Sequence, residues 1–334
     1  MNINKPKVSI LKNPIPVIYL DTCLMIELSK YDQGHCTDKH KLELGELYDK
    51  LLALMKSNQI ICALGNQMEE MGSAKDREKA RNFLYRFTNL ELFSPNEINS
   101  MQLDAGYRAF AKDDQNIRFN TRDICEAGEC YSNSSIKIHV PIIYKEDKIQ
   151  RLKEAKKHLA TDLNDLKNSS RISRNYEEQL AAELKSDFTV FIYNLEHGNE
   201  SIESLSRFLD ECVVIYKRVG IDISNTSYEG WLEAIRSHCE FLLSEHHHKL
   251  PYIWIRSVLF AKLMQRPNKV RPSDNLDITW ASAYLPFIDY AVTDIAFCDL
   301  LKSSGLAEQY DTKVYDVKTL SLLLNELESC INRN

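Results

Sequence analysis

Four carboxylates occupy positions that could place them around one ion. Asp21 directly follows the apolar run 17–20, and Asp294 follows a second apolar run that ends at Thr293. Asp277 and Glu70 each stand near the start of an expected helix. Acids at the carboxyl ends of buried parallel strands lie at the edge where open α/β sheets bind ligands. Carboxylates that converge there repel one another unless a cation lies between them, so the pattern predicts a divalent metal site.

Each acid also has a simpler interpretation when it is taken alone. Asp21 with Thr22 could cap a helix, and Asp294 could cap another, because Asp and Thr are common N-cap residues. Asp277 could be a first-turn acid that the helix dipole favours, and Glu70 could face solvent. Independent caps need not follow buried strands, so the joint placement favours a shared site.

Two further acids remain secondary candidates for the site. Glu69 is an alternative to Glu70, but Glu70 directly precedes Met71, which with Met68 marks the buried side of the expected helix. We therefore prefer Glu70 as the ligand. Asp274 either caps the helix that begins near it or lies at the edge of the metal site.

The charge distribution restricts how the chain could bind nucleic acid. A net charge of −6 argues against a protein that coats nucleic acid through bulk electrostatics. A local basic strip, which begins at Arg256, precedes Asp274. It contains no acidic residue before Ser273, and we predict that it contacts phosphate groups. A second stretch, 137–174, carries ten Lys or Arg against five Asp or Glu and is either a solvated face or a phosphate-binding surface. The basic strip comprises Arg256, Lys262, Arg266, Lys269 and Arg271.

The hydrophobic pattern predicts an α/β fold assembled from both ends of the chain. Short apolar runs that alternate with helical periodicity predict parallel strands joined by crossover helices. From about 97 to 250 the pattern is mostly helical, with a polar loop at 113–133. We therefore expect one core from 14–95 and 252–330, and a helical insertion, 96–251, that serves as a lid or recognition region. The predicted strands are 17–20, 59–64, 90–93, 290–292 and 313–315.

Composition points to a globular protein of the cytosol. The 334 residues are 44% hydrophobic and 27% charged, and no run of eighteen apolar residues occurs. Residues 1–12 lack the apolar centre of a signal peptide, which predicts a cytoplasmic location without a membrane partner. The sequence leaves open whether the chain forms a homo-oligomer.

Three adjacent histidines at 246–248 look like metal ligands at first sight. Adjacent side chains on a helix point in different directions, so a run of three cannot all face one ion. We predict an exposed polar turn at this place.

Four segments together resemble the PIN-domain nucleases. They contain Asp21-Thr22 after the first strand, Glu70 between two methionines, Asp277 before Ile278, and Thr293-Asp294 before an apolar helix. The segments occur in the family's order, and sixteen residues separate Asp277 from Asp294, close to the usual gap. The resemblance covers about half the chain.

The resemblance implies a twisted parallel sheet with helices on both faces and an acidic site that holds Mg²⁺ or Mn²⁺. Asp21, Glu70, Asp277 and Asp294 would be the ligands. Thr293 would orient the ligands or the attacking water through its hydroxyl group. Cys23 departs from the family pattern, which often has Asn there, and a thiol is a weaker hydrogen-bonding group.

The expected function is therefore metal-dependent hydrolysis of RNA phosphodiester bonds by an endoribonuclease. RNA is favoured because most members of the resembled family cleave RNA. By analogy, such a large variant could be a stress or defence effector that a protein antitoxin or regulatory partner holds in check. The alternatives are a non-catalytic PIN-like scaffold that binds RNA or protein, and a structure-specific DNA nuclease.

Overall fold

The computed structural model describes residues 6–36, 41–65, 67, 77–125, 146–169, 172–173, 175–197 and 228–331. The chain divides into two compact units. We call the first the sheet unit, which comprises 10–95, 120–169 and 266–334. We call the second the helical unit, which comprises 1–9, 96–119 and 170–265.

Seven strands are present among the described residues, and five of them form one parallel sheet. Strand order in that sheet is β4-β3-β2-β6-β7, and every pair is parallel. The strands are β1 (Lys7–Leu11), β2 (Val17–Leu20), β3 (Ile61–Leu64), β4 (Leu90–Glu91), β5 (Asn116–Asn120), β6 (Tyr290–Val292) and β7 (Lys313–Tyr315).

Helices make up most of the remaining described chain. They are α1 (Thr22–Asp32), α2 (Lys41–Lys56), α3 (Arg77–Phe87), α4 (Pro95–Ala111), α5 (Glu146–Asn168), α6 (Tyr176–Leu184), α7 (Ser186–His197), α8 (Tyr228–Leu242), α9 (Glu245–His248), α10 (Pro251–Gln265), α11 (Asp274–Tyr284), α12 (Ile295–Ser304), α13 (Leu306–Gln309) and α14 (Leu320–Ile331). Two short 3₁₀ helices span Thr121–Ile124 and Leu285–Phe287.

Strand β2 lies at the centre of the parallel sheet. Its residue Tyr19 pairs with Ala63 on one side and with Ala291 on the other. All four residues of β2 are buried, which explains why the strand is a continuous apolar run instead of an alternating one. The predicted α/β class with a parallel sheet flanked by helices is confirmed, and all five predicted strands occur in it.

The two faces of the sheet are packed by different helices. Successive strand residues point to opposite faces, so Ile18 joins the aliphatic cluster that includes Leu28 of α1 and Leu47 of α2. On the other face, the Tyr19 ring stacks on Trp280 of α11 with ring centroids 4.8 Å apart. This contact fixes α11 against the central strand, which matters because α11 carries Asp277.

Gly65 allows α11 to approach the end of β3 closely. A Cβ atom at this position would lie 2.6 Å from the ring of Tyr284. Any larger residue there would force the tyrosine ring, and with it the end of α11, away from the sheet.

The helical unit is organised around α10, whose residues are mostly buried. Gln102 of α4 accepts a hydrogen bond from the backbone N–H of Tyr252 at 2.8 Å. Tyr107 of α4 packs edge-on against Phe241 of α8, with centroids 4.8 Å apart. These contacts join α4, α8 and α10 although long stretches of sequence separate them.

The predicted polar loop at 113–133 is wrong in its described part. Strand β5 occupies Asn116–Asn120 and forms a two-stranded sheet with β1. Ile117 and Phe119 are buried while Asn116 and Arg118 are exposed, which is the period of a strand with one wet face. Two apolar residues among polar neighbours gave too short a pattern to recognise.

The prediction of an exposed turn at 246–248 is also wrong. These residues form α9, which Ser244 caps, and His246 and His247 are buried. His247 packs edge-on against Phe241 with centroids 5.4 Å apart. The imidazole rings pack against aromatic side chains and also make polar contacts, such as that of His247 with Asp187 at 3.3 Å.

The compact units differ from the expected core and insertion at two places. Residues 120–169, expected in the insertion, belong to the sheet unit, whereas 252–265, expected in the core, belong to the helical unit. The role of 96–251 as a lid or recognition region stays a prediction.

In the described part of the chain, no helix is both long enough and apolar enough to cross a membrane.

Candidate metal centre

Asp21 lies at the carboxyl end of the central strand and also begins a helix. Its backbone N–H donates to the carbonyl oxygen of Val292 at 2.9 Å, which extends the pairing of β2 and β6 to the site. Its carboxylate accepts a hydrogen bond from the N–H of Thr22 at 2.7 Å as the N-cap of α1. The interpretation of Asp21 as a helix cap is therefore confirmed.

Asp294 occupies the equivalent position after the neighbouring strand β6. Its Oδ1 accepts hydrogen bonds from the N–H groups of Ala296 and Phe297, at 2.8 and 3.1 Å, as the N-cap of α12. Asp277 lies in the first turn of α11 and is buried, with 5% of its surface exposed. Two helix N-termini therefore favour negative charge at Asp277 and Asp294.

The three aspartates converge as predicted. One carboxylate oxygen from each of Asp21, Asp277 and Asp294 lies within 4.8 Å of the other two. Oxygen donors at this spacing suit a hard divalent cation such as Mg²⁺ or Mn²⁺, which takes carboxylate ligands and keeps several waters. The donor set therefore fits the predicted metal, and the triad, in which Asp21 and Asp277 are buried, could hold an ion.

Thr293 fixes the orientation of the central carboxylate. Its hydroxyl group donates a hydrogen bond to Oδ2 of Asp21 at 2.9 Å, and Thr293 itself is buried. The thiol of Cys23 lies 3.6 Å from the same oxygen. Burial raises the pKa of Asp21, and the charge on Asp294 acts in the same direction, although these hydrogen bonds oppose the shift. A nearby cation would remove this penalty on the ionised form.

Arg271 supplies a positive charge inside the acidic cluster. Its two terminal nitrogens lie 3.2 Å from the two carboxylate oxygens of Asp294, in a bidentate arrangement. One of them is also 3.6 Å from Oδ2 of Asp277. Although partial burial opposes the shift, hydrogen bonds to Asp294 and Asp274 raise the pKa of Arg271. The guanidinium group therefore partly neutralises the carboxylates.

Asp274 lies at the edge of the cluster and binds Arg271. Its Oδ1 accepts a hydrogen bond from Nε of Arg271 at 2.7 Å, and its Oδ2 accepts one from the backbone N–H of Arg271 at 2.7 Å. The N-cap residue of α11 is Ser273, which makes no capping hydrogen bond through its side chain. The prediction that Asp274 caps α11 is therefore wrong, and its contact with Arg271 links it to the acidic cluster.

Glu70 and Glu69 lie outside the described residues, so the fourth predicted ligand has no position here. Gln67, a few residues before them, is completely buried. Its side chain donates to the carbonyl oxygen of Leu20 at 3.0 Å and accepts from the N–H of Gly65 at 2.5 Å. Gln67 thereby ties the chain that leaves β3 to the residue before Asp21.

The predicted basic strip is divided between the two units. In the helical unit, Arg256 donates to Asp187 at 2.6 Å and the Lys262 ammonium group lies 5.0 Å from the centre of the Tyr176 ring. In the sheet unit, Arg266 donates to a backbone oxygen at 3.2 Å and Lys269 is exposed. Arg271 is the member of the strip that lies within the acidic cluster.

Asn164 of α5 is a residue near the site that the sequence did not reveal. Its side-chain amide accepts from the N–H of Val270 at 2.8 Å and donates to the carbonyl oxygen of Val270 at 3.0 Å. Lys167, one turn later, donates to the carbonyl oxygen of Asn268 at 2.7 Å. These bonds fix the loop that carries Arg271. No local signal could have identified Asn164, because its partner is 106 residues away.

Comparison with protein-family models, curated proteins and solved structures finds no match for this chain.

Proposed function

We propose that this protein is a Mg²⁺- or Mn²⁺-dependent endoribonuclease with a PIN-like core. The observation that carries the proposal is the convergence of Asp21, Asp277 and Asp294 at the carboxyl edge of the parallel sheet. This edge is where open α/β sheets bind ligands. The cluster contains more carboxylates than one guanidinium group can neutralise, which supports a cation as a ligand of the cluster.

The resemblance in sequence and the arrangement in space support each other. The resemblance rests on motifs around Asp21, Glu70, Asp277 and Asp294, and three of these four residues have described positions. Those three meet although Asp21 comes from the start of the chain, 272 positions before Thr293, the residue that precedes Asp294. Independent helix caps would not require such a meeting.

The chain's own residues would bind and orient the reacting groups. When bound, the ion supplies positive charge for the phosphate oxygens and lowers the pKa of a bound water. The Asp21 carboxylate is held in one orientation by the hydroxyl group of Thr293. Asp294 accepts hydrogen bonds from the N-terminus of α12, and Asp277 belongs to the buried first turn of α11. These constraints lower the cost of ordering the ligands at the moment of reaction.

The choice of RNA over DNA rests on the resemblance alone. A structure-specific DNA nuclease would use the same acidic site, so substrate preference separates the two. A non-catalytic scaffold is the alternative outside the enzymes. The features that favour it are the thiol of Cys23 beside Asp21 and the net charge of −6. Control by an antitoxin or regulatory partner, in a stress or defence response, remains an analogy with other large members of the family.

A cleavage assay with matched variants tests the proposal. The full chain is incubated with Mn²⁺ and single-stranded RNA or branched DNA, beside Asp21→Asn and Asp294→Asn. We expect the native chain to cleave RNA preferentially and both variants to lose the activity. The exposed acid Asp165 of α5 provides the control Asp165→Asn, which should cleave like the native chain.

Each contrary result identifies a different alternative. Equal cleavage by the native chain and both variants would reveal contamination and remove the enzyme hypothesis. Faster cutting of branched DNA would identify the DNA nuclease. RNA binding without any cleavage in Mg²⁺ or Mn²⁺ would identify the scaffold.

A further inference from the structure

Arg271 lies in the acidic cluster and contacts two of the three candidate metal ligands. Its bidentate contact uses both carboxylate oxygens of Asp294, at 3.2 Å each. A metal ligand must offer at least one of these oxygens to the ion. The same guanidinium group also approaches Asp277 at 3.6 Å, so two of the three candidate ligands already face a positive charge.

We propose that Arg271 is a resident countercharge that competes with the metal ion for Asp294, and that Asn164 is the residue that positions it. The inference rests on the proposed metal site and concerns how that site is regulated. It also gives a role to α5, which the resemblance to a nuclease family does not explain.

Competition follows from the charges and from the geometry. Two cations bound to neighbouring oxygens of one carboxylate repel each other, so the ion and the guanidinium group weaken each other's binding. This coupling is reciprocal, because each cation changes the affinity of the other by the same factor. Arg271 therefore stabilises the metal-free protein and lowers its affinity for the ion.

The loop that carries Arg271 is held from two sides. Asp274 binds the backbone N–H and Nε of Arg271, which directs the rest of the guanidinium group toward Asp294. Asn164 forms two hydrogen bonds with the backbone of Val270, the preceding residue. The loss of Asn164 would loosen the loop and reduce the time that Arg271 spends on Asp294.

A phosphate group could take the place of Asp294 as the partner of Arg271. Arg binds phosphate and carboxylate oxygens in the same bidentate geometry. The side chain of Arg271 would then have two positions. In one it contacts Asp294, as in this structure, and in the other it contacts a phosphate group, as the sequence predicts. Binding of the substrate backbone would release Asp294 to the metal.

Mn²⁺ binding to the full chain tests the competition without measuring cleavage. Isothermal titration with Mn²⁺ alone is compared for the native chain, Arg271→Gln and Asn164→Ala. We expect Arg271→Gln to bind Mn²⁺ at least about tenfold more tightly, within the usual range of coupling between sites. Asn164→Ala should tighten binding by a smaller factor. Asn168→Ala changes an exposed residue one turn further along α5, and we expect it to bind Mn²⁺ like the native chain.

The outcomes separate this inference from the proposed function. Binding to Arg271→Gln that equals or is weaker than native binding would overturn the competition and leave the metal site intact. The absence of Mn²⁺ binding both in the native chain and in Arg271→Gln would rule out the metal site and the inference together. Mn²⁺ binding that is detected for Arg271→Gln but not for the native chain would support the inference most strongly. If Arg271→Gln does not fold, unchanged or weaker binding by Asn164→Ala would overturn it.

Discussion

Each compact unit contains an Asp–Arg cluster, and the two clusters differ in their balance of charge. In the helical unit, Asp187 lies between Arg256, at 2.6 Å, and the buried ring of His247, whose Nε2 is 3.3 Å away. One carboxylate there has two side-chain partners, a guanidinium group and an imidazole ring. In the sheet unit, the guanidinium group of Arg271 contacts three carboxylates, those of Asp274, Asp277 and Asp294. The carboxylate of Asp21 lies beside two of them.

The carboxylate pKa values differ accordingly. Burial would raise the pKa of Asp187, but the neighbouring His247 and Arg256 prevail and lower it to about 2. Burial raises the pKa of Asp21, and the nearby Asp294 adds to the effect. A balanced cluster therefore stabilises the fold by itself, whereas a cluster with surplus carboxylates retains the capacity to bind a further cation.

The largest expected effect is on cleavage, and it belongs to the sheet unit. Asp277→Asn should lower the rate of Mn²⁺-dependent RNA cleavage by about 1,000-fold, because one charged ligand is lost where transition-state charge develops. Asp187→Asn should leave the rate unchanged at a temperature where the variant is folded. Single-turnover kinetics with both variants checks the contrast, and equal losses would show that the two clusters are not functionally distinct.

Addition of metal should stabilise the folded protein through the acidic cluster and not through the cluster around Asp187. At a Mn²⁺ concentration of 100 times the Kd, the free energy of unfolding should rise by about 2.7 kcal/mol. Chelation of Mn²⁺ should reverse the gain. Urea denaturation with and without Mn²⁺ measures it, and Asp294→Asn should show no gain. A gain that persists in Asp294→Asn would place the ion elsewhere.

The balanced cluster should contribute to stability through its charge pair. Asp187→Ala should lower the free energy of unfolding by about 2 kcal/mol, because Arg256 then loses a charged hydrogen-bond partner. A double-mutant cycle with Arg256→Ala isolates the pair. Additive losses in the cycle would mean that Asp187 acts through contacts other than this one.

The hydroxyl group of Thr293 should have a smaller effect on activity. Thr293→Val keeps the shape but removes the donor to Asp21, so we expect cleavage to slow by about tenfold, as is usual for the loss of one orienting group. Thr293→Ser restores a hydroxyl and should recover most of the rate. If the serine variant is as slow as the valine variant, packing of the methyl group and not the hydrogen bond is responsible.

Acid should destabilise the helical unit gradually. Burial lowers the pKa of His238 to about 4 in the folded protein, and the neighbouring His247 acts in the same direction. The unfolded chain therefore binds this proton first as the pH falls below about 6.5, so stability is complete above that pH and declines toward pH 4. Urea denaturation between pH 7 and pH 4.5 checks the slope, and His238→Phe should flatten it. If His238→Phe leaves the pH dependence of the unfolding free energy unchanged, the loss of stability in acid comes from other groups.

The sequence by itself determined the elements that local pattern can specify. Each strand of the five-stranded sheet is a short apolar run, because a strand covered on both faces needs apolar side chains at every position. The acids at the strand ends could be recognised in the sequence for the same reason, since Asp21 and Asp294 follow directly where such apolar runs end. The meeting of Asp21 with Asp294 could be predicted because parallel strands share one carboxyl edge. Asp277 lies on a helix, and its place beside them was expected from the resemblance in sequence.

Only the tertiary structure decided the residues that act across long separations. The pairing of Asn164 with Val270 spans 106 residues, and the side chain of Arg271 could reach either phosphate or carboxylate partners from its sequence position alone. The burial of His247 depends on aromatic rings from other helices, which a polar run of histidines does not disclose. Local pattern fixes backbone conformation, but the partner of a long polar side chain is set by which distant segment packs beside it.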